Sequence, residues 1–395
     1  MLVIKSTMQT THTDIIIAGG GLAGLTLALE CSKHAFFDKK NIIILDKDDK
    51  STNDRTWCFW AADSESIPPV IHHSWNKCHF FGTNFEAGLK IVPYRYHMIR
   101  GIDFYHWAKA TIGKKANIKW VKADIESIDA ANGVVNTTAG TFVADWVFNS
   151  AFRGKIESPN MNPGFTKLLQ HFKGWRIQTT APAFDPSTMT FMDYRVDQKG
   201  ETRFVYVLPF TTTEALVEFT VFSPALCSPE EYDRELADYL KKYLNIEAYK
   251  ILETEFGVIP MADIPLKNKE GRVVNIGTAG GFVKGSSGYA FKRTQRKLSI
   301  FVKNWAETGA PTPELLRSTW RFRFYDSIML RVLKDQAVPG SQFFSQLFQE
   351  LPANLVFRFL DEDSTFADEI RLMRVPPTWP FLKTAIKQIP LFPQI

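Results

Sequence analysis

The sequence predicts an α/β protein: a Rossmann-type dinucleotide-binding domain, interrupted by an inserted antiparallel β-sheet and followed by C-terminal helices. Three observations predict it. A glycine-rich turn joins an apolar strand to a helix within Asp14–Glu30 (DIIIAGGGLAGLTLALE). A second glycine-rich loop, Gly277–Gly288, follows another apolar strand about 250 residues later. Between them lies a β-rich, aromatic stretch of different character.

In the first turn, Ile15–Ala18 has the length of a buried strand, and Leu22–Glu30 places Leu22, Leu25 and Leu29 on one side of a helix. Gly19, Gly21 and Gly24 form G-x-G-x-x-G at the junction. The first glycine permits the tight turn, the second lets backbone amides approach a pyrophosphate, and the third lets helix and strand pack closely. The amides of Gly20, Leu22 and Ala23 share that helix N-terminus, which favours an anion. A lone motif of this kind also serves packing alone, so context matters. Asn41–Leu45 (NIIIL) reads as the next buried strand, and Asp46 at its end can accept both ribose hydrogen bonds of an adenosine.

At 395 residues the chain suits two intimately joined domains. Its 47 basic and 42 acidic residues give +5, an ordinary balance that does not point to nucleic acid. From Phe291 onward 15 basic residues face 10 acidic ones, so the excess lies in the last quarter. Cys31, Cys58, Cys78 and Cys227 form no C-x-x-C pair and have no histidine at metal-ligand spacing. This predicts a reducing, cytoplasmic setting and no metal site. No apolar run reaches 18 residues, and the first twelve residues read as a disordered lead-in rather than a signal peptide.

Beyond Asp46, Arg55 in Asn53–Trp60 (NDRTWCFW) is placed to face a pyrophosphate or flavin edge, the alternative being a surface arginine; Trp57 and Trp60 are expected in the core. Arg100 precedes a helix expected from Ile102 to Ala110, the position at which aromatic hydroxylases carry an arginine near their flavin; this is analogy. Ile118–Ala123 and Ile125–Asp129 read as strands, Gly133–Thr138 and Thr141–Val143 as a hairpin, and Ala144–Ala151 as a returning buried strand. Val273–Ile276 leads into GTAGGFVKGSSGYAF, where Gly277 and Gly288 bracket a second anion-facing loop. One glycine loop suits NAD; two so far apart suit the longer FAD. The expected fold is therefore an FAD-binding, aromatic-hydroxylase-like Rossmann domain over residues 13–151 and 260–300, a β-rich substrate domain over 152–259, and a helical region over 301–395 with possible membrane contact. In the insert, Gly174–Thr180, Met189–Val196, Thr202–Leu208 and Ala215–Phe222 are the expected strands.

The ordered set DIIIAGGGLAGLTLALE, DRTWCFW, FKGWRI, FMDYRVDQ, RFVYVLPF, LVEFTVFS and IGTAGGFVKGSSGYAF resembles the bacterial lycopene cyclases, which close β-ionone rings on carotenoids. The similarity covers most of residues 13–385. It implies bound FAD that must be reduced although the net reaction is non-redox, NADPH as the usual electron source, lycopene or another linear carotenoid as substrate, and peripheral association with the inner face of the cell membrane. Glu218, the lone carboxylate in LVEFT, matches the family's acidic position. It is the expected acid that protonates the terminal alkene, its pKa raised by apolar surroundings. By alternation Glu218 shares a face with Leu216 and Thr220, and without the resemblance it would read as a solvent-facing strand residue. Asp193 and Glu201 are secondary candidates, expected to be structural. The second loop reads Gly277-Thr278-Ala279 where many flavin hydroxylases carry Gly-Asp-Ala, which loosens the link to hydroxylases. Three rivals remain: an FAD-dependent isoprenoid reductase or aromatic hydroxylase, a flavin-free escort protein on the same fold, and a simple nicotinamide dehydrogenase, which the second loop disfavours. The tail Trp379–Ile395 combines Trp379, Phe381, Leu382, Ile386, Ile389, Leu391 and Phe392 with Lys383 and Lys387, suiting either an interfacial helix or a terminal helix packed on the core.

Overall fold

A computed structural model describes residues 10–152 and 164–392. Most of the expected lead-in and the last three residues of the tail lie outside the described residues. Thr10–His12, counted in that lead-in, instead extend the first strand.

An eight-stranded sheet forms the first layer. Its path is β17 (Lys269–Glu270), β18 (Val273–Asn275), β11 (Gly140–Asn149), β1 (Thr10–Ala18), β2 (Ile42–Asp46) and β8 (Ile118–Lys122), with β9 (Ile125–Asp129) and β10 (Val134–Thr137) paired off β11. The strands from β18 to β8 run parallel. Ile16–Ala18 of β1 and Ile42–Leu45 of β2, in the middle of the sheet, are buried on both faces and therefore read as continuous apolar runs rather than alternating ones. Helices α1 (Leu22–Ser32), α2 (Gly101–Ile112) and α4 (Phe291–Thr308) pack on one side around Leu25, Phe104, Phe148 and Trp305. Thr141–Val143 and Ala144–Ala151, expected as separate strands, form the single strand β11, which ends at Asn149; its first half pairs with both β10 and β1 and its second half with β1 and β18.

The second sheet has seven strands in the order β16 (Tyr249–Ala262), β12 (Lys167–Thr179), β15 (Glu214–Ser223), β14 (Thr202–Pro209), β13 (Thr188–Asp193), β5 (Lys77–Gly82) and β6 (Phe85–Leu89). β13 stops at Asp193, short of the expected Val196. Two of its strands come from the first 151 residues, a long-range pairing with no local signal. Helix α3 (Pro229–Leu244) was not expected in this β-rich stretch. Ser228 caps it by accepting from the Glu231 amide, Pro229 opens it, and Tyr232, Leu236, Tyr239 and Leu240 at helical spacing cover one face of the sheet. A third small sheet, β3 (Thr56–Ala62), β7 (Tyr94–Arg100) and β4 (His73–Trp75), bridges the two larger ones.

The C-terminal helices α5 (Trp320–Lys334), α6 (Gly340–Glu350), α7 (Ala353–Leu360), α8 (Phe366–Met373) and α9 (Thr378–Gln388) complete the chain. The Phe343, Phe344, Phe348 and Phe357 side chains join the core under the second sheet. Trp60 is buried against Phe357, as a core residue should be.

Candidate active site

Gly19 sits in the left-handed region at φ +107, which a side chain rarely adopts. A Cβ on Gly24 would lie 1.9 Å from the Gly19 carbonyl oxygen, so only glycine lets α1 seat against the turn. A Cβ on Gly21 would meet nothing within 4 Å; this glycine faces open space at the start of α1. No side chain caps that end of the helix and no acidic residue occupies its first turn. The leading amides, those of Leu22 and Ala23 among them, have no intrahelical acceptor and suit an anion. Asp46 is drawn to the same spot: the Gly20 amide donates to its Oδ2 at 2.6 Å and the Asp48 amide to its Oδ1 at 2.8 Å.

Gly277, also left-handed, packs so closely that a Cβ there would lie 2.9 Å from Ala23 Cβ. The two glycine loops therefore meet at the N-terminus of α1. The second loop then runs to the other sheet, where a Cβ on Gly288 would strike Gln170 of β12 at 2.1 Å. An open cradle, uncapped amides and an adjacent carboxylate fit the pyrophosphate and ribose of a dinucleotide. Arg55 and Arg100 stand together at one end of the β3–β7 ladder, where the Gly101 amide donates to the Arg55 carbonyl at 2.6 Å. The Arg55 guanidinium is exposed and donates to the Asp54 carbonyl at 2.7 Å. Arg100 grips Asp103 through Nε and Nη2 at 2.7 and 2.8 Å, which raises its pKa.

Glu218 lies on the face of β15 opposite α3, because Val217, Phe219 and Val221 fill the α3 side. Its Oε1 accepts from Thr220 Oγ1 at 3.0 Å. Burial holds its pKa well above the carboxylate range, and the charge of Glu255 and a hydrogen bond with it raise it further. Glu255, on β16, is the residue that sequence reasoning missed. Its Oε2 accepts from Thr56 Oγ1 at 2.6 Å, and burial raises its pKa too. Both glutamates are in register with Gly174 of the intervening β12. A Cβ at Gly174 would lie 2.9 Å from Glu255 Cγ, 3.0 Å from its Oε1 and 3.0 Å from Leu216 Cδ1. The missing side chain lets the two carboxyls meet across a strand. A glycine inside a strand was the available signal.

Opposite Glu218 on β14 is Tyr206. Tyr206, Tyr289 of the second glycine loop and Tyr96 of β7 share a buried hydroxyl network, with the Tyr96 and Tyr289 oxygens 3.3 Å apart. The network ties the loop to the carboxylate strand. Beside Glu255 a shallow cleft is lined by Thr56, His72, Arg100, Arg176, Leu216 and Glu253 among others. The arrangement offers a half-buried carboxyl whose surroundings favour its protonated form, tyrosines on the neighbouring strand and loop, and an anion cradle at the other end of that loop. Asp193 and Glu201 stand elsewhere: Asp193 accepts from Arg195 Nε and from Tyr239 at 2.7 Å, and Glu201 pairs with Arg203 at 2.6 Å. No cluster of metal-ligating side chains occurs among the described residues.

A Rossmann sheet with two converging glycine loops, crossed by a second sheet, places this protein in the class of flavoenzyme folds. A geranylgeranyl bacteriochlorophyll reductase-like protein from Thermoplasma acidophilum superimposes with a TM-score of 0.65 at 11% identity, covering 97% of this chain and 100% of its own. A flavin-dependent brominase aligns at 0.55 and 13% identity (96% and 100%), and a variant of the halogenase PltM in complex with FAD at 0.52 and 16% (89% and 82%). Within that class the chain belongs to the lycopene cyclase family of enzymes, whose model, described as lycopene cyclase protein, matches residues 14–386. It is 26% identical to the lycopene beta-cyclase of Paracoccus sp., over 96% of this chain and 97% of that one. The lycopene beta-cyclase of Pantoea ananas is 24% identical over 94% and 96%.

Proposed function

We propose that the protein closes the ends of lycopene into β-ionone rings, converting lycopene to β-carotene through γ-carotene, by acid-initiated carbocation chemistry without net redox change. The observation that carries this reading is a half-buried carboxyl, Glu218, whose pKa is raised by its apolar surroundings and by the neighbouring Glu255, on the strand facing Tyr206. Glu218 delivers its proton to a terminal double bond and leaves a tertiary cation. A neighbouring double bond attacks the cation and closes a six-membered ring, and loss of a ring proton restores neutrality. Tyr206, across the ladder from Glu218, and the Tyr289 and Tyr96 joined to it would supply electron-rich faces to the cation, and the burial of Tyr206 and Tyr96 helps to exclude water that would trap it.

FAD is the proposed cofactor. Gly19, Gly20, Gly21, Leu22, Ala23 and Gly24 would hold its pyrophosphate and Asp46 its adenosine ribose. Gly277 and Gly288 would border the second loop's side of the same molecule, with Arg55 and Arg100 toward its phosphate or ring edge. When bound and reduced, FAD supplies negative charge beside the substrate cation, with NADPH as the proposed source of the electrons.

A C40 hydrocarbon partitions into bilayers, so substrate collection calls for contact with a membrane surface, proposed here as the cytoplasmic face. Among the described residues no helix is long and apolar enough to cross a membrane. Helix α9 packs inward through Phe381 on Phe343 and through Gln388 on Ser327. Its other face exposes Trp379 (72%), Leu382 and Ile386 (59%) beside Lys383 and Lys387, and α8 exposes Phe366, Ile370 and Met373 beside Arg371 and Arg374. Exposed apolar stripes flanked by basic residues support peripheral docking on anionic lipid.

The test is carotenoid analysis of lycopene-accumulating cells expressing the chain. Bicyclic product is expected from the parent and unreacted lycopene from Glu218→Gln with FAD still bound. Cyclisation at the parental rate by that variant would remove Glu218 as the acid.

A further inference from the structure

We propose that Glu218 and Glu255 work as one proton site: the pair carries a single proton, Glu218 gives it to substrate and takes it back, and Glu255 is the positioning residue that holds it there. The inference rests on the reading of Glu218 as the acid and adds the group that governs it.

Three observations carry it. The first is register. Gly174 separates the two glutamates on adjacent strands, and its lack of a side chain is what leaves room for their contact. The second is an orphaned oxygen. Glu255 Oε2 has Thr56 as its donor, but Oε1 is buried and has no donor from a neutral or cationic group. That oxygen lies over Gly174, toward Glu218, and a carboxylic acid proton on Glu218 would satisfy it. The third is the absence of a counter-ion. Among the described residues no lysine or arginine pairs with either carboxyl. The nearby cations are engaged elsewhere: Arg100 with Asp103, and Arg176 with Glu214 at 2.6 Å and Glu253 at 3.6 Å. Two like charges in hydrogen-bond contact, half-buried and unneutralised, do not both persist; one shared proton is the low-energy state.

The other groups facing the pair do not supply a charge to replace that proton. Cys58 on β3 is held neutral by burial and by Glu218 and Glu255, and Tyr206 on β14 by burial, by Tyr289 and by Glu218. Glu253 on β16 raises the pKa of Glu255, and His72 at the cleft is shifted toward its neutral form by burial. Thr220 and Thr56 donate to opposite ends of the pair and so fix which oxygens face each other.

In the reaction the Glu218 O–H bond breaks as a C–H bond forms at the terminal alkene, leaving both carboxylates ionised. This doubly charged pair is a strong base next to the ring cation. A ring C–H bond then breaks, its electrons form the ring double bond, and the proton returns to Glu218. No electrons enter or leave, and the site ends as it began.

The experiment compares the holoenzyme with Glu255→Gln, Glu255→Asp, Gly174→Ala and Glu218→Gln. It follows the cyclisation rate against pH and, without substrate, the protonated-carboxyl stretch by infrared difference spectroscopy. Removing the neighbouring charge in Glu255→Gln lets Glu218 lose its proton at lower pH. The alkaline limb of the rate profile then moves down by about one unit or more, so the rate at a fixed pH on that limb falls about tenfold. The carboxyl band titrates with it. Glu255→Asp keeps the charge and is expected to keep the limb closer to the parent's. Gly174→Ala, which pushes the carboxyls apart, shifts the limb in the same direction as Glu255→Gln and reads the pair even if Glu255→Gln fails to fold. Glu218→Gln removes the band. An unaltered limb and band in Glu255→Gln or Gly174→Ala overturns the pair while Glu218 keeps its role. Full activity in Glu218→Gln instead overturns the acid assignment itself.

Discussion

Lys284 lies inside the second glycine loop and is 1% exposed, an unusual place for an ammonium group. Its Nζ donates to Asp326 on α5 at 2.7 Å and lies 3.5 Å from Glu362, just after α7. Ser286 donates to the same Asp326 oxygen at 2.6 Å, and Arg293 of α4 also pairs with Glu362. The second glycine loop is thus pinned to the C-terminal helices by buried charge. Lys284→Met keeps the volume and removes the cation. At 2.7 Å an effective dielectric of 20 gives a gross attraction of roughly 6 kcal/mol, most of it offset by desolvation. Stranding a buried partner typically costs about 3–5 kcal/mol. The low end, about 3 kcal/mol, applies here because Asp326 keeps Ser286 and Glu362 keeps Arg293. Denaturant unfolding followed by tryptophan fluorescence measures it, with Asp326→Leu and the double variant completing a cycle. The double variant is expected to recover much of the loss, since no stranded carboxylate remains. A loss below about 1 kcal/mol in Lys284→Met, or strict additivity in the cycle, would refute the claim that this ion pair anchors the loop.

Gly24→Ala places a methyl 1.9 Å from a backbone oxygen and is expected to cost about 1–3 kcal/mol and to weaken flavin retention, read from the visible absorbance of the purified protein. His171 is buried between Ser223 and Tyr232, and burial lowers its pKa to about 4. The unfolded chain, near 6.5, therefore binds more protons between those values, so stability falls by up to about 3 kcal/mol as pH drops from 6.5 toward 4. His171→Gln should flatten that part of the stability–pH curve, and an unchanged slope would contradict the assignment. Trp379→Ala combined with Ile386→Ser is expected to reduce sedimentation with anionic liposomes while leaving the melting temperature within a degree or two. Equal binding by parent and variant would exclude α9 as the docking element.

The fold of the half built on the first glycine turn was legible because its signals are local. The turn at Gly19–Gly24, the apolar strand before it and Asp46 lie within 33 residues, and each position has a steric or hydrogen-bonding reason that one sequence displays. Helix α3 was legible in principle, since Ser228, Pro229 and the spacing of Tyr232, Leu236 and Leu240 are start and periodicity signals, but the β-rich surroundings outweighed them. The other sheet was harder. β5 and β6 join it from 100 residues upstream through a parallel pair with β13, and nothing local announces that pairing.

The carboxyl pair shows the same limit most sharply. Glu218 stood out as a lone charge in an apolar strand. Glu255 did not, because Glu253 and Glu255 alternate with Thr254 and Phe256 as they would on any edge strand facing water. What turns Glu255 inward is the register of β16 on β12, unbroken over ten residue pairs from Lys167–Ala262 to Arg176–Glu253 before a bulge shifts it. A slip of one residue would send every side chain of β16 to the opposite face and separate the carboxyls. The site's acid chemistry on the proposed reading therefore depends on a pairing established by the whole length of two strands. A local trace of that pairing is Gly174, where the chain forgoes a side chain in a strand that has every packing reason to carry one.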